Sequence, residues 1–294
     1  PAAAAGYRVM LCISHEQAGP GLAGMAASLL GGGGNGRVDA VHLVPATGRG
    51  GTAMVGRGPG AADGEEVLAP AVARAAELGV EARTLSFISD DPATDICELA
   101  EARDADLVLL GWHKPVLSQT MLGGVVHDVL NRCPSTVGVL VDRGLKKIER
   151  VLVPYLGSAH DRTALALAQR LMTASGARVT VLHVVREEEE GEGPSPAGGA
   201  RTLVDSVFSE DSGHVTMRII KHRSPAEAAL AESERGYDLV IVGIGRDWGL
   251  GDRVLGIGLQ PEKLMTDSPS SLLVVRGTEA SPRRRLARAT ARVS

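Results

Sequence analysis

The segment "ARDADLVLLG" (Ala102–Gly111) recurs later in the chain as "ERGYDLVIVG" (Glu234–Gly243), and this repetition decides the fold. Three further pairs of apolar segments occur in the same order: Arg8–Ser14 with Arg150–Leu156, Val38–Pro45 with Val179–Val185, and Cys133–Val141 with Ser268–Arg276. Matches that keep their order along a chain indicate a repeated structural unit. We therefore predict that the 294 residues contain two copies of one domain.

The repeated segments are short, rich in Val, Leu and Ile, and nearly continuous in hydrophobicity, which is typical of parallel strands covered on both faces. Helical patterns separate them: one begins near Asp91-Pro92 and another after Asp161. A further helix opens on Gly123-Gly124 and has an apolar stripe of Leu122, Val125, Val126 and Val129. The predicted fold class is α/β, with two tandem five-stranded doubly wound parallel sheets.

The repeat also predicts the domain boundaries. We expect the first domain over residues 1–145, the second over 146–276, and a basic, disordered tail over 277–294. The segments Gly48–Gly64 and Arg186–Gly199 follow the second strand of each copy. Their Gly-, Pro- and Glu-rich composition is typical of flexible loops.

The overall composition is that of a globular protein, with 44% hydrophobic residues and a formal net charge of −4. A nucleic-acid-binding protein needs a clustered basic face, and the arginine cluster of this chain lies in the tail between Arg283 and Arg292. We interpret that cluster as a solvated end. The sequence therefore predicts no nucleic-acid partner.

Three cysteines, Cys12, Cys97 and Cys133, lie far apart and form no CxxC pair. This usage fits a reducing compartment and argues against a zinc site, so we predict that they are core residues. No apolar run approaches the roughly 18 residues of a membrane helix. The chain begins at Pro1 without a methionine, which we interpret as the start of a piece of a longer polypeptide.

The eight histidines show no metal-ligand spacing. His42 and His183 occupy equivalent positions in the second strand of each copy, so we predict that they are structural. His113 and His127 flank the glycine-containing loop after the fourth strand, where a histidine could contact a ligand or sense pH. No serine or cysteine has an evident base partner, so the sequence predicts no catalytic residues and no enzyme.

The segment "GPGLAG" (Gly19–Gly24) matches the dinucleotide-binding pattern G-x-G-x-x-G. Five residues separate it from the preceding strand, so its glycines miss the tight strand-to-helix turn of a dinucleotide site. The second strand also ends in Val44-Pro45, without the acidic residue that binds a ribose. We give this match little weight.

Each half resembles a universal stress protein domain, on the evidence of "VPYLGS", "LHVV" and "DLVIVG" before a glycine-containing loop. Nucleotide-binding members of that family have Gly-x-x-Gly, eight or nine residues, and Gly-Ser/Thr after the fourth strand, with an Asp ending the first. The resemblance implies that the glycine amides hold phosphates and that the Asp meets adenine.

That motif is damaged in both halves. In the first half, Gly111 and Gly123 match the motif. Lys114 occupies the position of the second glycine, Gly124 that of the hydroxyl residue, and Ser14 that of the Asp. In the second half, Gly243 and Gly256 match the motif. Arg246 occupies the position of the second glycine, Ile257 that of the hydroxyl residue, and Leu156 that of the Asp. A long side chain at the second glycine obstructs the approach of backbone to phosphate. We expect no cofactor, with ATP bound weakly or not at all.

Free domains of this family pair through their last strands. Here Val137–Val141 and Leu272–Val275 would otherwise be exposed apolar edges. We therefore predict that the two halves form an intramolecular pseudo-dimer through these strands.

The first half also resembles the cytosolic C-terminal region of cation/proton antiporters of the Kef and plant exchanger type, in Arg8–Leu29 and around Gly111–His113. The resemblance implies a non-catalytic regulatory region whose partner is the membrane transport domain of the same polypeptide. It places this soluble region on the cytoplasmic side of the inner (plasma) membrane. A homodimer and a small anionic ligand are further candidate partners. The alternative is a soluble tandem universal stress protein that binds ATP or another nucleotide.

The candidate ligand cleft lies where a doubly wound sheet presents the loops at the carboxyl ends of its strands. We expect no metal there. The candidate binding residues in the two halves are Ser14, Gly111, His113, Lys114, Gly123, Gly124, Gly243, Arg246 and Gly256.

Overall fold

The computed structural model describes residues 6–31, 36–45, 61–112, 124–158, 160–185, 196–208, 213–245 and 261–278. Strands and helices alternate throughout these ranges. The first half contains β1 (Arg8–Cys12), α1 (Gly19–Leu30), β2 (Arg37–Pro45), α2 (Ala61–Glu77), β3 (Ala82–Ser89), α3 (Pro92–Ala102), β4 (Leu107–Gly111), α4 (Gly124–Arg132) and β5 (Thr136–Val141).

The second half repeats this alternation, as the sequence repeat predicts. Its elements are β6 (Arg150–Tyr155), α5 (Asp161–Ser175), β7 (Arg178–Val185), α6 (Pro196–Val207), β8 (Val215–Lys221), α7 (Pro225–Ser233), β9 (Leu239–Gly243), α8 (Pro261–Asp267) and β10 (Ser271–Arg276). The α/β fold class is confirmed.

All ten strands form one sheet, in the order β3-β2-β1-β4-β5-β10-β9-β6-β7-β8. Neighbouring strands are parallel within each half, and β5 and β10 are antiparallel where the halves meet. In this seam Val139 lies opposite Val274, and Val137 lies opposite Arg276. The predicted pseudo-dimer through the last strands is confirmed, because each apolar strand edge is covered by the other.

Helices cover both faces of the sheet. One face packs against α1, α2, α5 and α6, and the other packs against α3, α4, α7 and α8. Successive residues of a strand point to opposite faces, so Leu109 joins the first layer and Val108 the second. Each layer contains residues from both halves, so the halves share two continuous hydrophobic cores.

Two of the predicted helix starts are confirmed. The Asp91 carboxylate accepts a hydrogen bond from the Thr94 amide at 3.2 Å and caps α3, with Pro92 at the first helical position. Helix α5 begins at Asp161.

The two predicted loops extend less far than their composition indicates. Residues 46–60 and 186–195 lie outside the described residues, but the final four positions of each predicted loop are already helical, because α2 begins at Ala61 and α6 at Pro196. Gly64 shows the physical reason in α2. It is buried, and a Cβ there would overlap the Ser86 hydroxyl, so this glycine permits close packing of helix on sheet.

The predicted apolar stripe of α4 is wrong at one position. Val129 is buried and Val126 is half-buried, but Val125 is 41% exposed in the first turn. Leu122 lies outside the described residues. The helix is thus anchored to the sheet mainly by its second half.

Candidate functional site

The described candidates of the first half lie at one edge of the sheet. Ser14 follows β1 and is exposed, and Gly111 ends β4. These strands are neighbours, with Cys12 opposite Leu110, so the two candidates lie close together. Gly124 begins α4, after the loop that leaves β4. His113, Lys114 and Gly123 lie in that loop, outside the described residues.

Gly243 ends β9 in the second half, at the position equivalent to Gly111. Because β5 and β10 are antiparallel, the carboxyl ends of the strands in the two halves face opposite edges of the sheet. Among the described candidates, Ser14, Gly111 and Gly124 therefore lie at one edge of the sheet and Gly243 lies at the opposite edge. Arg246 and Gly256 lie outside the described residues.

Close packing accounts for both described strand-end glycines. A Cβ on Gly111 would lie 3.0 Å from the Cβ of Ala18, and a Cβ on Gly243 would overlap the carbonyl oxygen of His160. Ala18 and His160 occupy equivalent positions in the repeat, in the segments that lead from the first strand of each half into its helix. Packing against the Ala18 side chain and the His160 backbone therefore explains these two glycines.

Two glycines of "GPGLAG", Gly19 and Gly21, also have packing roles. Gly19, Gly21 and Gly24 lie within the described helix α1. A Cβ on Gly19 would lie 3.0 Å from Ala71 of α2, and a Cβ on Gly21 would overlap the Asp142 carboxylate. Packing thus explains Gly19 and Gly21, whereas no described residue lies within 4 Å of a Cβ added to Gly24.

A buried carboxylate lies after the carboxyl end of β6, at a position that the sequence analysis identified only as a helix start. Asp161 is 2% exposed, and its Oδ2 accepts hydrogen bonds from the amides of Leu156 and Ser158 at 3.0 and 2.9 Å. Burial raises the pKa of this carboxyl group, although the two amides partly oppose the change. Burial and the Asp161 charge likewise raise the pKa of Tyr155. The sequence signal was Asp161, three residues after Ser158.

The structural role predicted for His42 and His183 is confirmed. His42 Nδ1 lies 2.7 Å from the Ile13 carbonyl oxygen, and His183 Nδ1 lies 3.0 Å from the Tyr155 carbonyl oxygen. Since a carbonyl accepts, Nδ1 donates in both rings. The two rings tie the second strand of each half to the end of its first strand. The Nε2 atom of His127 is 2.9 Å from the side-chain amide nitrogen of Asn131, so this histidine contacts a side chain of its own helix.

A cavity of about 370 Å³ lies beneath the segment that links the halves. Its charged lining is largely paired: Lys147 lies 2.6 Å from Glu149, and the Asp238 carboxylate accepts from two backbone amides at 2.8 Å. Arg143 donates to the Met265 carbonyl at 2.7 Å. These contacts join the linker to the second half. The sequence had no signal for this cavity.

Within the described residues, no cluster of three or more His, Cys, Asp or Glu side chains could hold a metal ion. The helices of the same ranges include none with the length and hydrophobicity required to cross a bilayer.

A sequence model described as the universal stress protein family matches this chain twice, over residues 7–140 and 147–276. The two matches correspond to the two halves of the sheet.

Among curated proteins, the chain is similar to several antiporters. Cation/H(+) antiporter 21 of Arabidopsis thaliana is 28% identical over 57% of this chain, which spans 24% of that protein. Na(+)/H(+) antiporter NhaS5 of Synechocystis is 25% identical over 71% of this chain, which spans 30% of that protein. The chain thus spans less than a third of either relative.

Two solved structures have the same fold over nearly the whole chain. A universal stress protein from Archaeoglobus fulgidus has a TM-score of 0.61 at 17% identity, covering 92% of this chain and 97% of that one. The cytoplasmic domain of a prokaryotic cation chloride cotransporter has a TM-score of 0.58 at 10% identity, covering 96% and 99%. At these identities the likeness concerns the fold alone.

Proposed function

This chain belongs to the universal stress protein family, and from its tandem architecture and its antiporter relatives we propose that it is the cytosolic regulatory region of a monovalent cation/proton antiporter. The observation that supports this most directly is the similarity to antiporters over 57% and 71% of this chain, confined to a minor part of each relative. In this proposal the remainder of the parent polypeptide is the membrane transport domain. The region itself is non-catalytic and faces the cytoplasm.

Regulation requires a signal that binds two states of the protein with different affinity, because a ligand bound equally to both shifts nothing. We place that signal in the cleft of the first half, between Ser14 and Gly111 and the loop that contains His113, Lys114 and Gly123. The lysine and the start of α4 at Gly124 favour a small anion. A protonation change at His113 or His127 is the second form such a signal could take.

The shared cores determine how this signal would be transmitted. Both hydrophobic layers run across the β5–β10 seam, so the halves move as one body. A ligand in one cleft would therefore act by changing how the whole region packs beneath the transport domain.

The test is cation/proton exchange by the parent protein in sealed vesicles. The intact parent is compared with a parent that lacks this region and with Lys114→Ala, and Lys146→Ala in the linker cavity serves as a matched control. We expect deletion and Lys114→Ala to change the exchange rate or its pH profile, with the control unchanged. An unchanged rate, pH profile and amount of folded transporter after deletion would refute the proposal.

We further propose that ATP binds weakly or not at all, because packing already explains Gly111 and Gly243 and bulky side chains replace the second glycine in both halves. Calorimetry with MgATP on the purified chain is expected to give no saturable heat at micromolar concentrations. Micromolar binding would instead support the alternative, a soluble tandem universal stress protein that binds a nucleotide.

A further inference from the structure

The three cysteines lie far apart in sequence and close together in the fold. Cys97 belongs to α3, Cys133 directly follows α4, and Cys12 ends β1. All three pack in the hydrophobic layer that contains α3 and α4. Helices α3 and α4 pack against each other, and the Cys133 thiol is close enough to Cys97 to raise the pKa of Cys97.

The pair differs in its access to solvent. Cys97 is half-buried, so a small oxidant can reach it, whereas Cys133 is only 2% exposed. Helices α3 and α4 pack together. Two neighbouring thiols on packed segments, one of them reachable, are an arrangement from which a disulfide between remote parts of the chain can form. In a reducing compartment such a bond is transient and regulatory.

We propose that Cys97 and Cys133 are a thiol-oxidation site that forms a reversible intramolecular disulfide when the chain is exposed to a peroxide. This proposal does not rest on the proposed transport function. The disulfide would link α3 covalently to the turn that follows α4. The Arg276 guanidinium lies next to this turn and donates a hydrogen bond to the Cys133 carbonyl oxygen.

The chemistry proceeds in two balanced steps. The Cys97 sulfur attacks one peroxide oxygen, the O–O bond breaks, and Cys97 becomes a sulfenic acid with release of one water. The Cys133 sulfur then attacks the Cys97 sulfur, the S–O bond breaks, and a second water leaves. The two thiols together lose two electrons and two protons, and the peroxide is reduced to two waters. A small thiol restores the pair by exchange.

The environment makes this site slow to react at neutral pH. The hydrogen bond with Cys133 and burial raise the pKa of Cys97, and burial also raises the pKa of Cys12. Because the thiolate is the reacting species, the oxidation rate follows its population. We therefore expect a rate that increases about tenfold per pH unit from pH 7 to pH 9, without a plateau.

The test uses the whole chain treated with hydrogen peroxide. Free thiols are then alkylated under denaturing conditions, and the chain is digested without reductant for mass spectrometry. We expect a linked peptide pair that contains Cys97 and Cys133, lacks two hydrogens, and separates on addition of a thiol reductant. Cys12→Ser is the matched control and should give the same pair, whereas Cys97→Ser and Cys133→Ser should not.

The peptide map of the unaltered chain decides the matter even if a variant fails to fold. Oxidation of Cys97 to a sulfinic acid beside an unmodified Cys133 would overturn the proposal. So would a disulfide that contains Cys12 or joins two molecules, or a reaction rate that levels off between pH 7 and pH 9.

Discussion

The guanidinium of Arg276 reaches from the second half into the first and donates a hydrogen bond of 2.6 Å from Nη2 to the carbonyl oxygen of Cys133. Arg276 ends β10 and is 2% exposed. Its partner lies in the turn before β5, the strand with which β10 pairs. A buried cation thus joins the two halves at one end of the seam, through a backbone acceptor.

Replacing this arginine by alanine is expected to destabilise the whole chain. Arg276→Ala removes the hydrogen bond to the Cys133 carbonyl and opens a cavity, and we expect it to lower the free energy of unfolding by about 2–4 kcal/mol. Arg83→Ala, at an exposed position of β3, should cost less than about 0.5 kcal/mol. Urea denaturation followed by circular dichroism measures both, and equal stabilities would contradict the role assigned to Arg276.

The strand-end glycines should respond to alanine according to the space around them. Gly243→Ala forces a Cβ into the His160 carbonyl and should cost about 2 kcal/mol or more, whereas Gly111→Ala, against the Cβ of Ala18, should cost about 1 kcal/mol.

Gly199→Ala in α6 is the matched control for these glycine substitutions. Among the described residues nothing lies within 4 Å of its added Cβ, so alanine should stabilise the helix by about 0.5–1 kcal/mol. Thermal melts of the three variants check this order. A Gly243→Ala variant as stable as the parent chain would show that the His160 contact is relaxed in solution.

The buried carboxyl of Asp161 predicts a pH dependence of stability. Burial raises its folded-state pKa above the ordinary 3.8, so the folded chain holds this proton more tightly than the unfolded chain. Its contribution is therefore complete below the ordinary pKa and is lost as pH rises through the folded-state pKa.

Asp161→Asn should remove this dependence. The unaltered chain should lose stability relative to Asp161→Asn as pH rises above about 4, and the difference should be constant below that value. Asp205→Asn changes an exposed residue of α6 and is the control. Its stability should change with pH in the same way as that of the unaltered chain. Chemical denaturation from pH 3 to pH 8 gives the comparison, and the opposite slope would contradict the burial of Asp161.

The two halves should unfold together. Both hydrophobic layers contain residues of both halves, and Arg170 of α5 stacks on Tyr7 of the first half, with its guanidinium carbon 3.6 Å from the ring centroid. We therefore expect one calorimetric transition whose midpoint falls with Arg276→Ala or Gly243→Ala. Two separate transitions would show that the halves are independent.

Much of the fold could be predicted because its signals are local or repeated. The continuous apolar segments around Leu107–Gly111 and Leu239–Gly243 identified buried parallel strands, and the order of the repeats gave two copies of one domain. The seam was predictable because the family resemblance implies pairing through the last strands, and Val137–Val141 and Leu272–Val275 would otherwise be exposed apolar edges. The loop predicted from composition was wrong at Gly64, because composition does not distinguish a glycine that permits close helix packing from a glycine in a loop.

The candidate site was less predictable. Gly111 and Gly243 were read as remnants of a phosphate-binding loop, but the structure brings Ala18 and His160 against them, which no pattern along the strand indicates. The ligand roles of His113 and Lys114 stay predictions.

By itself, the sequence determined the two-copy α/β architecture, the strands and most helices, because hydrophobic periodicity is a property of neighbouring residues. The tertiary structure alone decided that the carboxyl ends of the strands in the two halves face opposite edges of the sheet, since that follows from the antiparallel pairing of β5 with β10. It also brought Cys97 to Cys133 and Arg276 to the Cys133 carbonyl. Such contacts join segments far apart in the chain, and their geometry depends on how whole helices and strands pack.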